Sequence, residues 1–195
     1  MRGLSRFEAA AAAIDAANAD DPNRVVVGGV DEPLALAHGR LADGWVQRLG
    51  TDADDALRLA ARAHHLRRWE VPRTSYPEGR PGYLRWRRDQ KARHARDVEA
   101  LLRAAGYGEG EVARVQSLIR RDHLSTEPDA QVVEDAACLV FIETQLAEMA
   151  TRLERDHLLD VIRKTGRKMS AAGLAKVTDI DLDDTTRALL IEALA

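Results

Sequence analysis

The chain has 195 residues, of which 45% are hydrophobic and 31% charged, and its formal net charge is −3. This length fits one domain, with small appendages at most. No apolar run is long enough to span a bilayer, and the slightly acidic balance disfavours nucleic acid as a partner. Few aromatic residues and abundant Ala, Leu, Arg, Glu and Asp favour an all-α fold. The single Cys138 permits no intrachain disulfide, so we expect a cytoplasmic protein.

The N-terminal part predicts one helix and an irregular connection. Apolar and alanine residues indicate a helix over 7–18, and the turn-forming cluster 19–23 ends it. The apolar run 25–27 is followed by two glycines and is too short to be more than an extended linker.

Two further helices carry the first candidate site residues. Pro33 suits the first turn of a helix, and His38 lies on that helix. A third helix is capped by Asp52 or Asp54. Its apolar residues recur at helical spacing and lead directly to two adjacent imidazoles, His64 and His65.

The segment 70–88 is predicted to be a long loop. Pro72, Pro77 and Pro81, with the glycines beside them, interrupt any helical pattern. Aromatic residues nevertheless recur along it, and a long loop inside a small helical domain is usually functional. Helix is expected to resume at about Asp89.

The remainder of the chain predicts further helices at short intervals. They are expected from about 89 to 105, from 110 or 111 to near 123, from 129 to 148 or beyond, from 153 to 163 and from 183 to 194.

The candidate metal ligands are distributed over these separate elements: His38, His64, His65, His94, His123 and Asp135. The long intervals between them each correspond to about one helix and a loop, and helical bundles build metal sites from such positions. Imidazole with carboxylate suits a divalent transition metal, namely Fe, Mn, Zn, Co or Ni. Glu134 and Asp135 are the predicted catalytic carboxylates, Glu134 as a group that orients a ligand or water.

The order of these residues resembles the histidine-rich signature H…HD…H…H…D of the HD-domain superfamily of metal-dependent phosphohydrolases. His38 matches the first His, His64 the His of the doublet, and Asp135 the final Asp. His94 and His123 match the middle pair. The resemblance implies a metal-dependent activity and an HD-domain-like helical bundle.

The resemblance covers about 34–145. It implies a single helical domain over 1–195, with an HD-like core in that range and a C-terminal helical extension over 150–195.

The doublet leaves two registers open. His65 stands where the signature has Asp, and a neutral imidazole cannot bridge two ions, so a mononuclear site is favoured over a dinuclear one. A shift of one residue would make His65 the ligand instead of His64.

The motif R-A-x-H-x-x-R-W-x-x-P-R-x-x-Y-P, which starts at Arg62, also resembles an uncharacterised family known as domain of unknown function 4202. That family implies no established activity, and it favours His65.

Arginines and aromatic residues lie between the presumed ligands. Guanidinium groups bind phosphate or carboxylate through paired hydrogen bonds, and aromatic rings stack on a base or cap a cavity. The residues predicted to bind a small anionic, phosphorylated substrate are Arg68, Trp69, Arg73, Tyr76, Tyr83 and Arg87. The alternative is that these arginines pair with nearby carboxylates while the aromatic rings hold the loop in place.

Together these features predict a metal-dependent hydrolase of a small phosphorylated or nucleotide substrate. A metal ion lowers the pKa of bound water, and arginines neutralise the charge that develops on a phosphoryl group. An HD-type iron-dependent oxygenase and a non-catalytic helical domain that binds an anion or a protein remain alternatives. A homodimer also remains open.

Overall fold

Ser5 starts the helical architecture by capping the first helix. Its hydroxyl accepts a hydrogen bond from the Glu8 N–H, and the Glu8 carboxylate in turn accepts one from the Ser5 N–H. The computed structural model describes residues 3–50 and 52–194. Residues 1, 2, 51 and 195 of the predicted domain lie outside this described part.

The elements follow one another with short connections. In chain order they are α1 (Arg6–Asn18), β1 (Arg24–Val27), β2 (Val30–Pro33), α2 (Leu34–Leu49), α3 (Asp55–Arg62), α4 (Gly79–Ala104), α5 (Glu109–Arg120), α6 (Pro128–Arg152), α7 (Arg155–Gly166), α8 (Ala171–Ala175) and α9 (Asp184–Leu194). Short 3₁₀ turns lie at Arg68–Glu70, Arg73–Ser75 and Lys176–Asp179. The predicted all-α class is confirmed, and residues from α1 to α9 share one continuous hydrophobic core.

The expectation of an extended linker at 25–27 was wrong. This segment belongs to β1, which pairs antiparallel with β2 from Arg24 opposite Pro33 to Val27 opposite Val30. Gly28 and Gly29 have φ angles of 57° and 81°, which a two-residue hairpin turn requires and which glycine adopts without strain. Each strand is stabilised by the other, a contact that the short apolar run does not reveal.

Helix α4 begins ten residues earlier than expected. Pro81 lies in its first turn, where the backbone N–H groups have no partner within the helix, so its missing donor costs nothing. The following Gly82 is buried, and a Cβ atom there would lie 1.9 Å from the Pro77 carbonyl oxygen. The interrupted segment is therefore shorter than predicted, and Arg87 lies on a helix.

Helix α6 is the central element of the packing. It contacts α2, α3, α5, α7, α8 and α9. Trp45 of α2 donates from Nε1 to the Glu143 carboxylate of α6 over 2.7 Å. Helices α7 and α9 pack on each other and on α6, and Leu158, Ile162 and Leu190 are buried. The predicted C-terminal extension thus completes the common core.

A partly buried ionic network, with the buried Asp43 at its centre, fixes the C-terminal end of α3. Arg62 donates to the carboxylates of Asp15 in α1 and Asp43 in α2, with its shortest contacts at 2.7 and 2.9 Å. Arg58, one turn earlier, also pairs with Asp43. Because fully satisfied buried networks are rigid, the turn that follows α3 has a defined position relative to α2.

Within residues 3–50 and 52–194, no helix combines the length and the apolar character needed to cross a membrane.

Candidate functional site

Four imidazoles from three parts of the chain lie together in the interior. His38 comes from α2, His94 from α4, and His64 and His65 from the turn after α3. Ring centroids of His64 and His65 are 3.9 Å apart, those of His38 and His65 5.5 Å, and those of His65 and His94 6.3 Å. His38, His64 and His94 are buried and His65 is half-buried. We call these four residues the histidine cluster.

Backbone carbonyls fix the protonation of two members. His64 Nδ1 lies 2.7 Å from the Ala61 carbonyl oxygen, and His94 Nδ1 lies 2.7 Å from that of Leu66. A carbonyl only accepts, so each Nδ1 carries the proton and each Nε2 is a bare lone pair. Both Nε2 atoms are buried without a hydrogen-bond partner.

A hydroxyl fixes the other two members. Thr144 donates to the Val140 carbonyl over 2.7 Å, so its oxygen accepts from His38 Nε2 at 3.0 Å. His38 Nδ1 is then an acceptor, and His65 Nδ1–H donates to it over 3.3 Å. The His65 Nε2 atom is left as a third bare lone pair.

The cluster is held in the neutral form. Burial, with a contribution from Arg68, lowers the pKa of His38 to about 4. The same two causes, in the same order, lower the pKa of His94 to about 3. For His64, burial and Arg121 lower the pKa well below its usual value. Neutral imidazole is the form that binds metal.

The cluster fits a metal in its donor chemistry. Metal-binding imidazoles donate their second N–H to a carbonyl or a carboxylate, as His64 and His94 do here. In the part of the chain that the structure describes, however, no three His, Cys, Asp or Glu side chains are arranged around a common point that could hold an ion. The structure therefore supplies donors without a converged site.

Asp135, the predicted final ligand, has other partners. Its carboxylate accepts hydrogen bonds from Gln131 Nε2 and from the Ser170 N–H, both at 2.8 Å, and from the Ser170 hydroxyl. Gly173 packs so closely that a Cβ atom there would lie 2.6 Å from the carboxyl carbon. In this arrangement Asp135 attaches the start of α8 to α6.

His123, predicted as a fifth imidazole ligand, lies apart from the cluster. It is exposed, has a φ angle of 57°, and lines a surface pocket with residues of α5 such as Ser117 and Leu118. The structure thus brings together four of the six candidate ligands.

A group of cations surrounds Glu134 beside the histidines. Arg121 donates from Nε to Glu134 over 3.1 Å, and both side chains are buried. Arg87 and Lys91 lie 3.8 and 3.9 Å from the same carboxylate. We call these cations, together with Arg68 and Lys168, the cation cluster.

Burial and mutual repulsion both act on the charged groups of the cation cluster. Burial alone would raise the pKa of Glu134, but Arg121, Lys91, Arg87 and Lys168 lower it below its usual value. Burial and Arg121 lower the pKa of Lys91 to about 8. Burial also lowers the pKa of Arg68 to about 10, with Arg87 and Arg121 contributing. These are the surroundings that attract an anion.

Sequence reasoning missed Arg121. The residue has a φ angle of 58° at the C-terminal end of α5, a position where glycine is usual, and this conformation accompanies a side chain buried inside the protein. No sequence pattern indicates it. Lys91 had a signal: Arg87, Lys91 and His94 follow i, i+4, i+7 spacing, which becomes visible once α4 is extended to include residue 87.

Several predicted substrate-binding residues instead stabilise the loop before α4. The Arg73 guanidinium donates to the carbonyl oxygens of Tyr76, Pro77 and Gly79. The Tyr76 hydroxyl donates to Asp89. Trp69 lines a groove against α1, together with Ala13 and Ala17.

The other predicted substrate-binding residues lie with the cations. The Arg68 guanidinium carbon is 4.4 Å from the centre of the Trp86 ring, and the Arg87 guanidinium carbon is 5.8 Å from that of Tyr83. The Tyr83 and Trp86 ring centroids are 6.1 Å apart, and Tyr83 is exposed. An aromatic edge therefore borders the cation cluster.

Comparison with known proteins gives one match. A family model with the description "Domain of unknown function (DUF4202)" matches residues 8–190. No curated protein and no solved structure matches the chain significantly.

Proposed function

Because the chain belongs to the family of the domain of unknown function DUF4202, its activity has to be inferred from its own site, and we propose that it is a metal-dependent hydrolase of a small phosphorylated or nucleotide substrate. One observation carries the proposal: the Nε2 atoms of His64 and His94 are buried without a partner, and the half-buried His65 presents a third bare Nε2 next to them, beside the cation cluster. A metal ion requires the first feature, and a phosphoryl group requires the second.

The proposed ligands are His64, His65 and His94 through their Nε2 atoms. His38 positions His65 through the contact between their Nδ1 atoms. This assignment uses both members of the doublet, so it does not require a choice between His64 and His65. Three neutral imidazoles suit one ion, since there is no carboxylate among them to bridge two.

His64, His65 and His94 would hold the ion, which when bound would supply a water of lowered pKa and Lewis-acid chemistry. Arg68 and Arg121 border the imidazoles and would neutralise charge that develops on the phosphoryl group. Hydrolysis forms a bond between the water oxygen and phosphorus and breaks the ester P–O bond. The proton that the water loses passes by way of solvent to the departing oxygen.

The resemblance to the HD-domain superfamily supports the same reaction class. In that reading Asp135 would join the imidazoles and act with Glu134. Its partners are Gln131 and Ser170, so the imidazoles alone are the proposed ligands.

The experiment measures metal content and hydrolysis with matched variants. Elemental analysis is done after incubation with each of the five candidate metals, and p-nitrophenyl phosphate serves as the substrate probe. We expect about one ion per chain and metal-dependent release of nitrophenol. His64→Gln and His94→Gln should lose both, and His157→Gln, at an exposed position on α7, should keep both.

Two results would overturn the proposal. A wild-type protein that binds none of the metals would remove its basis. Metal binding that His64→Gln and His94→Gln leave intact would place the ion elsewhere. Oxygen consumption with ferrous iron, without nitrophenol release, would favour the oxygenase alternative.

A further inference from the structure

We propose that Glu134 occupies the place of a phosphoryl group in the free protein, and that Arg121, Arg87 and Lys91 form the binding site for that group. The inference rests on the proposed function, because it specifies where the substrate's phosphoryl group binds. It identifies Glu134 as an internal counter-ion that a phosphate dianion displaces.

The distances around Glu134 show that a carboxylate does not satisfy the site. Only the Arg121 contact, at 3.1 Å, is within hydrogen-bond length, whereas Arg87 and Lys91 remain at 3.8 and 3.9 Å. Charge-assisted hydrogen bonds are normally about 2.7–2.9 Å long. A phosphoryl group has more oxygens, directed tetrahedrally, and can reach three or four donors at once.

The charge balance points the same way. The cation cluster has five members, and Glu134 is the carboxylate that pairs with three of them. The neighbouring Asp135 has its oxygens bonded to Gln131 and Ser170. The lowered pKa of Lys91, with burial and then Arg121 as its largest causes, is consistent with cations that one carboxylate does not neutralise. A dianion would compensate more of this charge.

Two of the cations that pair with Glu134 are partly exposed. Arg121 and Glu134 are buried, while the side chains of Arg87 and Lys91 are 30% and 28% exposed. Tyr83 lies beside Arg87 and is 42% exposed. A phosphate monoester can therefore insert its phosphoryl group between the α4 cations and Arg121, with the rest of the molecule against Tyr83.

The test is calorimetric titration of the metal-free full chain with inorganic phosphate, in a chelator and at constant ionic strength. We expect saturable binding by the wild type. Lys91→Gln should weaken it by about tenfold or more, the effect of losing one close charge contact. Glu134→Gln should strengthen it by a similar factor, because the competing negative charge is removed. Arg88→Gln makes the same change in charge on the same helix, at a side chain 76% exposed, and should leave affinity within about twofold.

Glu134→Gln removes the partner of Arg121 and could unfold the protein. In that case Arg87→Gln, at a half-exposed position, is a second variant that should weaken phosphate binding. Far-ultraviolet circular dichroism establishes folding in each case. Absence of saturable binding, or equal affinities in wild type, Lys91→Gln and Arg87→Gln, would overturn the inference. Phosphate binding without hydrolysis would leave this inference standing and count against the proposed function. Metal-dependent hydrolysis, together with phosphate affinity that Lys91→Gln does not change, would support the proposed function and count against this inference.

Discussion

His38 and His65 face each other through their Nδ1 atoms at 3.3 Å, although 27 positions separate them in the chain. This contact determines which nitrogen of His65 carries its proton, because the Thr144 hydroxyl already fixes His38. Thr144 on α6 therefore determines, through His38, that His65 Nε2 is the nitrogen free to bind a metal.

Thr144→Val tests this hydrogen-bond relay. The substitution keeps the shape of the side chain and removes the acceptor of His38 Nε2. A buried donor without a partner costs about 1–3 kcal/mol, so the free energy of unfolding should fall by that amount. Urea denaturation measures it. Thr151→Val, at an exposed threonine that also bonds its own helix, should change stability by less than about 0.5 kcal/mol. Equal effects of the two variants would contradict the relay.

Stability of the metal-free protein should fall in mild acid. The pKa of His38 is about 4 in the folded protein and near 6.5 when unfolded, so below 6.5 the unfolded chain binds more protons. The contribution of neutral His38 to the free energy of unfolding is complete above pH 6.5 and is lost progressively as the pH falls toward 4. By about pH 5 the loss should be on the order of 2 kcal/mol from His38 alone.

The measurement is urea denaturation as a function of pH in a chelator. His38→Asn should give a flatter profile than the wild type, since it removes one titrating group. His157→Gln changes an exposed imidazole and should reproduce the wild-type slope. A wild-type profile that is level between pH 7 and pH 5 would show that the imidazoles are not held neutral by burial.

Arg73→Ala should weaken the loop and leave anion binding unchanged. The guanidinium bonds three backbone carbonyls of the segment before α4, and removing it should cost about 1–2 kcal/mol. Hydrogen exchange should accelerate over 71–79. Arg85→Ala, at an exposed position of α4, is the matched control for loss of an arginine charge. Phosphate affinity that falls in Arg73→Ala alone would instead make Arg73 a substrate ligand.

Gly82→Ala should destabilise the protein by more than about 2 kcal/mol, because the new methyl group would meet the Pro77 carbonyl oxygen. The loop would have to move away from α4. Gly110→Ala is the control, since a Cβ atom there meets nothing within 4 Å. Its stability should stay equal or rise by less than about 1 kcal/mol. Thermal unfolding of the two variants separates the outcomes.

Asp135→Asn distinguishes a structural role from a metal ligand. The amide NH2 would replace one of the two accepting oxygens and face either the Ser170 hydroxyl or the donors Ser170 N–H and Gln131 Nε2, so stability should fall by about 1–3 kcal/mol. Metal content should remain at the wild-type level if the imidazoles hold the ion. Asp156→Asn, at an exposed position on α7, should alter neither quantity. Loss of metal in Asp135→Asn would instead indicate that the Asp135 carboxylate is a metal ligand.

The sequence by itself determined the helical class and most helix positions. Helical spacing of apolar residues, caps such as Asp54, and stops such as Gly50 act within a few residues, so local order predicts them. The same reasoning selected six candidate ligands that a bundle could bring together, and the structure brings together four of them: His38, His64, His65 and His94.

The tertiary structure decided the features that depend on contacts between residues far apart in the chain. The hairpin of β1 and β2 depends on pairing between strands, and the early start of α4 depends on Gly82 packing against Pro77. Asp135 was predicted to lie beside the imidazoles, but its carboxylate accepts a hydrogen bond from Ser170, 35 positions later in the chain.

Arg121 illustrates the physical reason most directly. Its backbone adopts a left-handed conformation at the end of α5, and its side chain forms a buried ion pair with Glu134 of α6. The partner lies on another helix, 13 positions along the chain. Propensity and periodicity describe a residue's neighbours along the chain. The charge and the lone pairs that define this site depend on neighbours in space.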